Sequence, residues 1–130
     1  MTDPVQIALI GVLILLFKHL VFDFFLQTSY QYLNKGIYGH PGGILHAGLH
    51  AFGTTPLFLW IAPSMRLAAA IMVGEFVAHY HIDWTKEQVN KRMQLTPEHA
   101  PFWWTLGVDQ FLHGATYVAI VALLMAARGG

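Results

Sequence analysis

Between positions 107 and 127 the chain carries a single formal charge, Asp109, in a run that apart from Gln110 and His113 is made of apolar, aromatic and small residues. A surface helix of a soluble domain needs a continuous polar face, and this stretch has none. Three more runs share its character, at about 5–31, 44–61 and 65–87, and the last run extends over about 102–128. Turn-forming segments separate them: the glycine-rich 34–43 (NKGIYGHPGG), the short Ala62-Pro63-Ser64 and the polar stretch 90–101. Each run is close to the roughly 20 residues that cross a bilayer as a helix. Asp3 followed by Pro4 supplies a cap and a first-turn proline for the first of them. The expected fold is all-α: an integral-membrane, antiparallel four-helix bundle, up-down-up-down, in one domain over residues 1–130.

Composition agrees. Of 130 residues 55% are hydrophobic and 11% charged, and the formal net charge is zero with His neutral, so no nucleic-acid partner is expected. No cysteine is present, which removes disulfides, thiolate metal sites and cysteine nucleophiles. The start, MTDPVQ, lacks the basic region and cleavage site of a signal peptide, so the first apolar run is expected to stay in the protein. The stretches 32–43 and 86–101 hold Lys35, Lys86, Lys91 and Arg92, against Arg66 and Arg128 on the side of the termini. By the positive-inside bias those two stretches face the cytoplasm and the termini lie outside.

The polar residues inside the runs share one spacing. His19 and Asp23, His46 and His50, His79 and Asp83, and Asp109 and His113 are each four apart, and Glu75 precedes His79 by four. Residues at i and i+4 lie on one helix face, about 6 Å apart along the axis. Lipid offers such groups nothing, so each stripe is expected to face the bundle interior. Counting along alternately directed helices puts all four stripes at one depth, in the half nearest the two longer connections. The order His19-xxx-Asp23 then His46-xxx-His50-Ala51 is echoed by His79-xxx-Asp83 then Asp109-xxx-His113-Gly114. Such an echo predicts two helix hairpins related by a pseudo-two-fold axis along the membrane normal.

A buried Asp costs about 2.5–3.5 kcal/mol at a span centre on insertion scales. Three Asp and one Glu together approach about 10 kcal/mol, comparable to a domain's whole stability of about 5–15 kcal/mol. Interhelical His–Asp hydrogen bonds would explain one pair; four pairs at one depth point to a metal. Imidazole and carboxylate without sulfur suit Zn, Fe or Mn. Asp23, Asp83 and Asp109 would balance two divalent ions with a bridging hydroxide, so two ions are expected, held by His19, Asp23, His46, His50, His79, Asp83, Asp109 and His113. Glu75, one turn deeper, is a third-row ligand, a partner orienting His79, or a proton acceptor. Gln27 and Gln110 either bond the ligands or a substrate, or satisfy backbone groups. His40, His81 and His99 fall off the stripes. Trp84, Trp103, Trp104, Tyr30, Tyr32 and Tyr38 cluster at the helix ends as an interface belt. Lys86, Lys91 and Arg92 either attract a lipid phosphate or only set the topology.

HLVFDFFLQTSYQYLNKG, HAGLHA, HYHIDWTKEQVNK and DQFLHGA resemble a family of small bacterial inner-membrane proteins known only as a domain of unknown function. The likeness runs over nearly the whole chain, through its H-xxx-D-F-xx-Q and D-Q-xx-H elements, and implies a multi-pass protein of the bacterial inner membrane. More remotely, the helical His/Asp spacing is similar to that of membrane-bound metal-dependent hydrolases. That likeness implies metal-binding or catalytic roles for the same eight residues.

The first functional expectation is a metal-dependent hydrolase of a lipid or lipid-linked phosphate, with Glu75 as general base and a second ion or Lys86 holding the developing negative charge. The second is a di-iron oxidase, hydroxylase or desaturase. His46-xxx-His50 has the spacing of a first desaturase histidine box, but the doubled-histidine boxes that should follow are absent. The third is a metal or proton carrier, or an accessory subunit of an oligomer or larger membrane complex. A haem protein fits worst, because carboxylates lie one turn from nearly every stripe histidine.

Overall fold

The computed structural model describes residues 3–129, which are helical and contain no strand. Helix α1 is Pro4–Leu20. As the sequence predicts, the Asp3 carboxylate accepts from the Val5 amide at 3.0 Å and Pro4 opens the first turn. A π-helical turn, Val21–Phe25, follows directly. Here the structure departs from the helix expected to reach residue 31. The Gln27 side-chain amide donates to the Asp23 carbonyl at 2.5 Å, taking an acceptor that a continuing helix would use. The four-residue α2, Ser29–Tyr32, then starts afresh.

Helix α3, Pro41–Phe52, begins earlier than expected because the His40 ring accepts from the Gly42 amide and caps it. Gly53 and Thr54 separate it from α4, Thr55–Ile61. Ala62, in the left-handed region at φ 51°, closes α4. The long α5, Met65–Arg92, is capped by Ser64 and runs five residues past the expected end. Residues 93–99 lead into α6, Ala100–Gly129, so the polar connection is shorter than 90–101.

Helix α3 packs on α5, α5 on α6, α6 on α1, and α1 on α4. Gly11 lets α1 approach closely: a Cβ there would lie 3.3 Å from both Leu57 and Val121. The apolar core, with Leu15, Leu57, Ile61, Ile71, Tyr117, Val121 and Leu124, fills the part of the molecule toward the chain ends. The part toward residues 33–40 and 93–99 is filled instead by imidazoles, carboxylates and two lysines. The outer surface shows the reverse pattern, with Leu9, Leu13, Phe17, Phe24, Phe25, Phe52, Leu59, Phe111 and Leu123 all exposed. Exposed apolar area on that scale marks a surface made for something other than water.

Three helical segments are long and apolar enough to cross a membrane: Pro4–Phe25, Pro41–Ile61 and Ala100–Gly129. Four were expected. Helix α5 has the length, but Arg66, Glu75, His79, His81 and Asp83 lower its hydropathy.

Candidate metal centre

Asp23 sits inside the π-helical turn, a local over-wide coil of the kind that recurs at functional sites. His19 still reaches it from the preceding turn, with Nε2 3.0 Å from Asp23 Oδ2. The other carboxylate oxygen, Oδ1, meets two rings of α3: His50 Nε2 at 2.9 Å and His46 Nε2 at 3.1 Å. Asp83 on α5 plays the same part on the other side. Its Oδ1 lies 3.2 Å from His113 Nε2 of α6, and its Oδ2 3.4 Å from His79 Nε2 and 3.2 Å from His46 Nε2. Asp109 Oδ1 lies 3.6 Å from His113 Nε2.

These distances come in matched pairs. His19–Asp23 at 3.0 Å corresponds to His79–Asp83 at 3.4 Å, and Asp23–His50 at 2.9 Å to Asp83–His113 at 3.2 Å.

All eight residues are buried. Their donor atoms form three overlapping groups, each with every atom within 4.8 Å of the others: Asp23, His46, His50 and His79; His19, His79 and His113; Asp83, Asp109 and His113. Each of these buried clusters could hold a metal ion.

Hydrogen-bond geometry separates this arrangement from a plain polar network. His46 Nε2, both ring nitrogens of His79, His50 Nδ1 and Asp109 Oδ1 are buried with no hydrogen-bond partner among the described residues. Yet His46 Nε2 and His79 Nε2 each lie within 3.4 Å of a carboxylate oxygen. Nitrogen and oxygen that close without hydrogen-bond alignment leave their lone pairs unsatisfied by each other, as donors to a shared ion do. Donors bound to one ion at about 2.0–2.2 Å sit about 3 Å apart around it, and the His–Asp pairs here lie between 2.9 and 3.6 Å apart.

Neighbouring groups orient several rings. Gln31 Oε1 lies 3.2 Å from His46 Nδ1, so the ring hydrogen sits on Nδ1 and the Nε2 lone pair faces the cluster. The Tyr117 hydroxyl lies 2.8 Å from His19 Nδ1. The Gln110 oxygen lies 3.0 Å from His19 Nε2, while its NH₂ donates to Asp109 Oδ2 at 3.1 Å and Asp23 Oδ2 at 3.4 Å. Of the two glutamines singled out in the sequence, Gln110 therefore bonds the donors, whereas Gln27 serves a backbone carbonyl.

Lys35 comes back from the segment after α2 to lie 3.2 Å from Asp83 Oδ2. Nothing in its sequence surroundings separates it from a surface lysine. Three carboxylates and one ammonium leave two negative charges on the cluster, so charge alone no longer selects two ions over one. Eight donor residues are more than the four to six or so that one first-row ion takes.

Glu75 stands apart from the three groups. Its carboxylate forms an ion pair with Lys18 and accepts from the Thr54 hydroxyl at 2.5 Å. Lys18 also donates to the His50 carbonyl and the Thr54 hydroxyl, both at 3.0 Å. This second buried cluster ties α1, the α3–α4 junction and α5 together one turn below the donors. Lys86 lies beside Glu87, 3.2 Å away, on the α5 face toward α6. His81 bonds Tyr38 and the Val77 carbonyl, His40 caps α3, and His99 accepts from the Thr96 amide. None of these three joins the cluster.

A family model matches residues 12–128, a stretch that holds all eight donors. The chain belongs to that family, described as Protein of unknown function (DUF3307). No curated protein and no solved structure matches the chain. Membership agrees with the resemblance to a family of unknown function. The likeness to metal-dependent hydrolases and the membrane location form no part of the match.

Proposed function

We propose that this protein is a membrane-embedded, metal-dependent hydrolase of a lipid or lipid-linked phosphate. Its four helical units form an antiparallel bundle in the bacterial inner membrane, with α5 as the fourth span, its polar side chains Glu75, His79 and Asp83 turned inward. The termini lie outside, by the same lysine and arginine bias as above. One observation carries the reading: buried imidazoles and carboxylates from four helical units come within 4.8 Å of one another in three overlapping groups, and among them atoms of His46, His50, His79 and Asp109 on α3, α5 and α6 have no hydrogen-bond partner among the described residues. Ionisable groups inside a membrane are expensive and mark functional sites.

Two divalent ions, Zn, Fe or Mn, match the donor count and type. Bound there, such ions would activate water and neutralise charge on a phosphate. The chain's own residues do the rest. Gln31, Tyr117 and Gln110 set the rings of His46 and His19. Glu75, one turn below the donors and bonded to Lys18 and Thr54 through its two oxygens, is the proposed proton acceptor, and Lys86, on the α5 face toward α6, is the proposed holder of the substrate's negative charge.

The test is phosphate release by the purified chain in lipid nanodiscs, loaded with each metal in turn and given phosphatidic acid or hexadecyl phosphate. Release that stops on chelation and in Asp83→Ala supports the reading. Metal bound without release from either lipid would overturn hydrolysis and leave a metal carrier. Iron-dependent oxygen consumption would instead select the oxidase.

A further inference from the structure

One candidate donor, Asp109, borders a groove at the protein surface. This groove, between α5 and α6, measures about 530 Å³, within the range of about 300–1,000 Å³ usual for small-molecule sites. Its walls include Ile82 and Val89 of α5 and Val108 and Leu112 of α6. Asp109 is the one candidate donor that lines it. That residue is 2% exposed, and its Oδ1 has no hydrogen-bond partner among the described residues. Lys86 is the one lysine or arginine along the groove; it pairs with Glu87 at 3.2 Å, and Glu87 is part-exposed where the Glu75 partner of Lys18 is fully buried.

Antiparallel α5 and α6 are joined through residues 93–99, so Lys86 and Trp104 mark the end of the groove near that connection. Ala78 and Leu112 mark the deeper end. A cation and a tryptophan therefore sit where lipid headgroups would be, and hydrocarbon surface continues below them. Two other grooves on the outer surface lack this combination. One, at α1 and α3, includes Phe17, Phe22 and Phe52, and its Lys18 is committed to Glu75 and Thr54. The other, between α1 and α6, is lined by Val12, Leu16, Phe111 and Val118 and carries no charge.

We infer that the α5–α6 groove binds a phosphate monoester of a long-chain alcohol, with the chain running down toward Leu112 and the phosphate between Lys86 and Asp109. This inference names the substrate class for the hydrolase proposed above and rests on that reading of the centre. Charge complementarity selects the occupant: hydrocarbon against the apolar walls, phosphate against an ammonium beside a candidate metal centre.

The test uses the full chain in nanodiscs and hexadecyl phosphate with a diazirine at the chain end. After irradiation the label is expected on α5 and α6 near Ala78 and Leu112. Unlabelled hexadecyl phosphate should compete and hexadecanol should compete much less. Val108→Trp and Leu112→Trp each fill the groove from an exposed position and should lower labelling about tenfold with metal content and melting temperature unchanged. Lys86→Met should weaken competition by hexadecyl phosphate about tenfold and leave that by hexadecanol unaltered. Label spread evenly over the three grooves, or insensitive to both tryptophans, would overturn the inference. Phosphate release is read separately. Labelling in the groove without release keeps the binding site and defeats hydrolysis; release undiminished in both tryptophan variants keeps hydrolysis and defeats the groove.

Discussion

Glu75→Leu removes the carboxylate that neutralises Lys18, and Lys18 is only 6% exposed. Its ammonium would keep the His50 carbonyl and the Thr54 hydroxyl as acceptors but lose its counter-charge. Breaking a buried pair from one side costs about 3–5 kcal/mol, because the remaining charge stays buried without compensation. Against a domain stability of about 5–15 kcal/mol that is a third or more of the total for most of the range. The melting temperature should fall by about 10 °C or more. Adding Lys18→Met removes the orphaned charge and restores apolar packing, so the double variant should recover most of the loss. Thermal unfolding in detergent, followed by circular dichroism, reads both. A loss below about 1 kcal/mol in Glu75→Leu, or a double variant no more stable than the single, would refute the argument that the pair is a buried, mutually dependent unit.

Gln31→Leu should reduce metal affinity about 10- to 100-fold, because His46 loses the acceptor that fixes its ring hydrogen; a chelator competition titration reads the change. Lys35→Met removes a positive charge 3.2 Å from Asp83 and should raise divalent-ion affinity about tenfold or more in the same titration. Gly42→Ala should destabilise the chain by about 1–3 kcal/mol in thermal unfolding, against the usual small gain from alanine in a helix. A Cβ there runs into the Tyr30 carbonyl oxygen, backbone that cannot swing aside.

The convergence of the four stripes was legible because helical spacing and depth counting need only positions along the chain. His19–Asp23, His79–Asp83 and Asp109–His113 all lie within 3.6 Å across one helical turn, as spacing alone predicts. The groups around them were not legible. Lys35 and Gln31 lie in a segment without periodicity, and their reach into the cluster depends on how that segment folds back over α3 and α5. Tyr117 continues the His113 stripe by four residues, so the same counting that found His113 could have found it. Lys18, next to His19 in sequence, reaches Glu75 inside the bundle because its long, flexible stem spans from α1 to α5; no pattern of positions encodes that. The π-helical turn was hidden for a different reason. The residues VFDFF suit an ordinary helix, and the widened turn arises where Asp23 and Gln27 make their own contacts.

The central claim is that the buried donors hold metal. Mass-spectrometric metal analysis of the purified chain, beside an Asp83→Ala, His113→Ala double variant, tests it most directly. The account predicts about two Zn, Fe or Mn per wild-type chain, eight donors being shared at four to six or so per ion, and loss of metal in the variant. No bound metal after reconstitution with each of the three ions would contradict it, and the stripes would then be a hydrogen-bonded network without an ion.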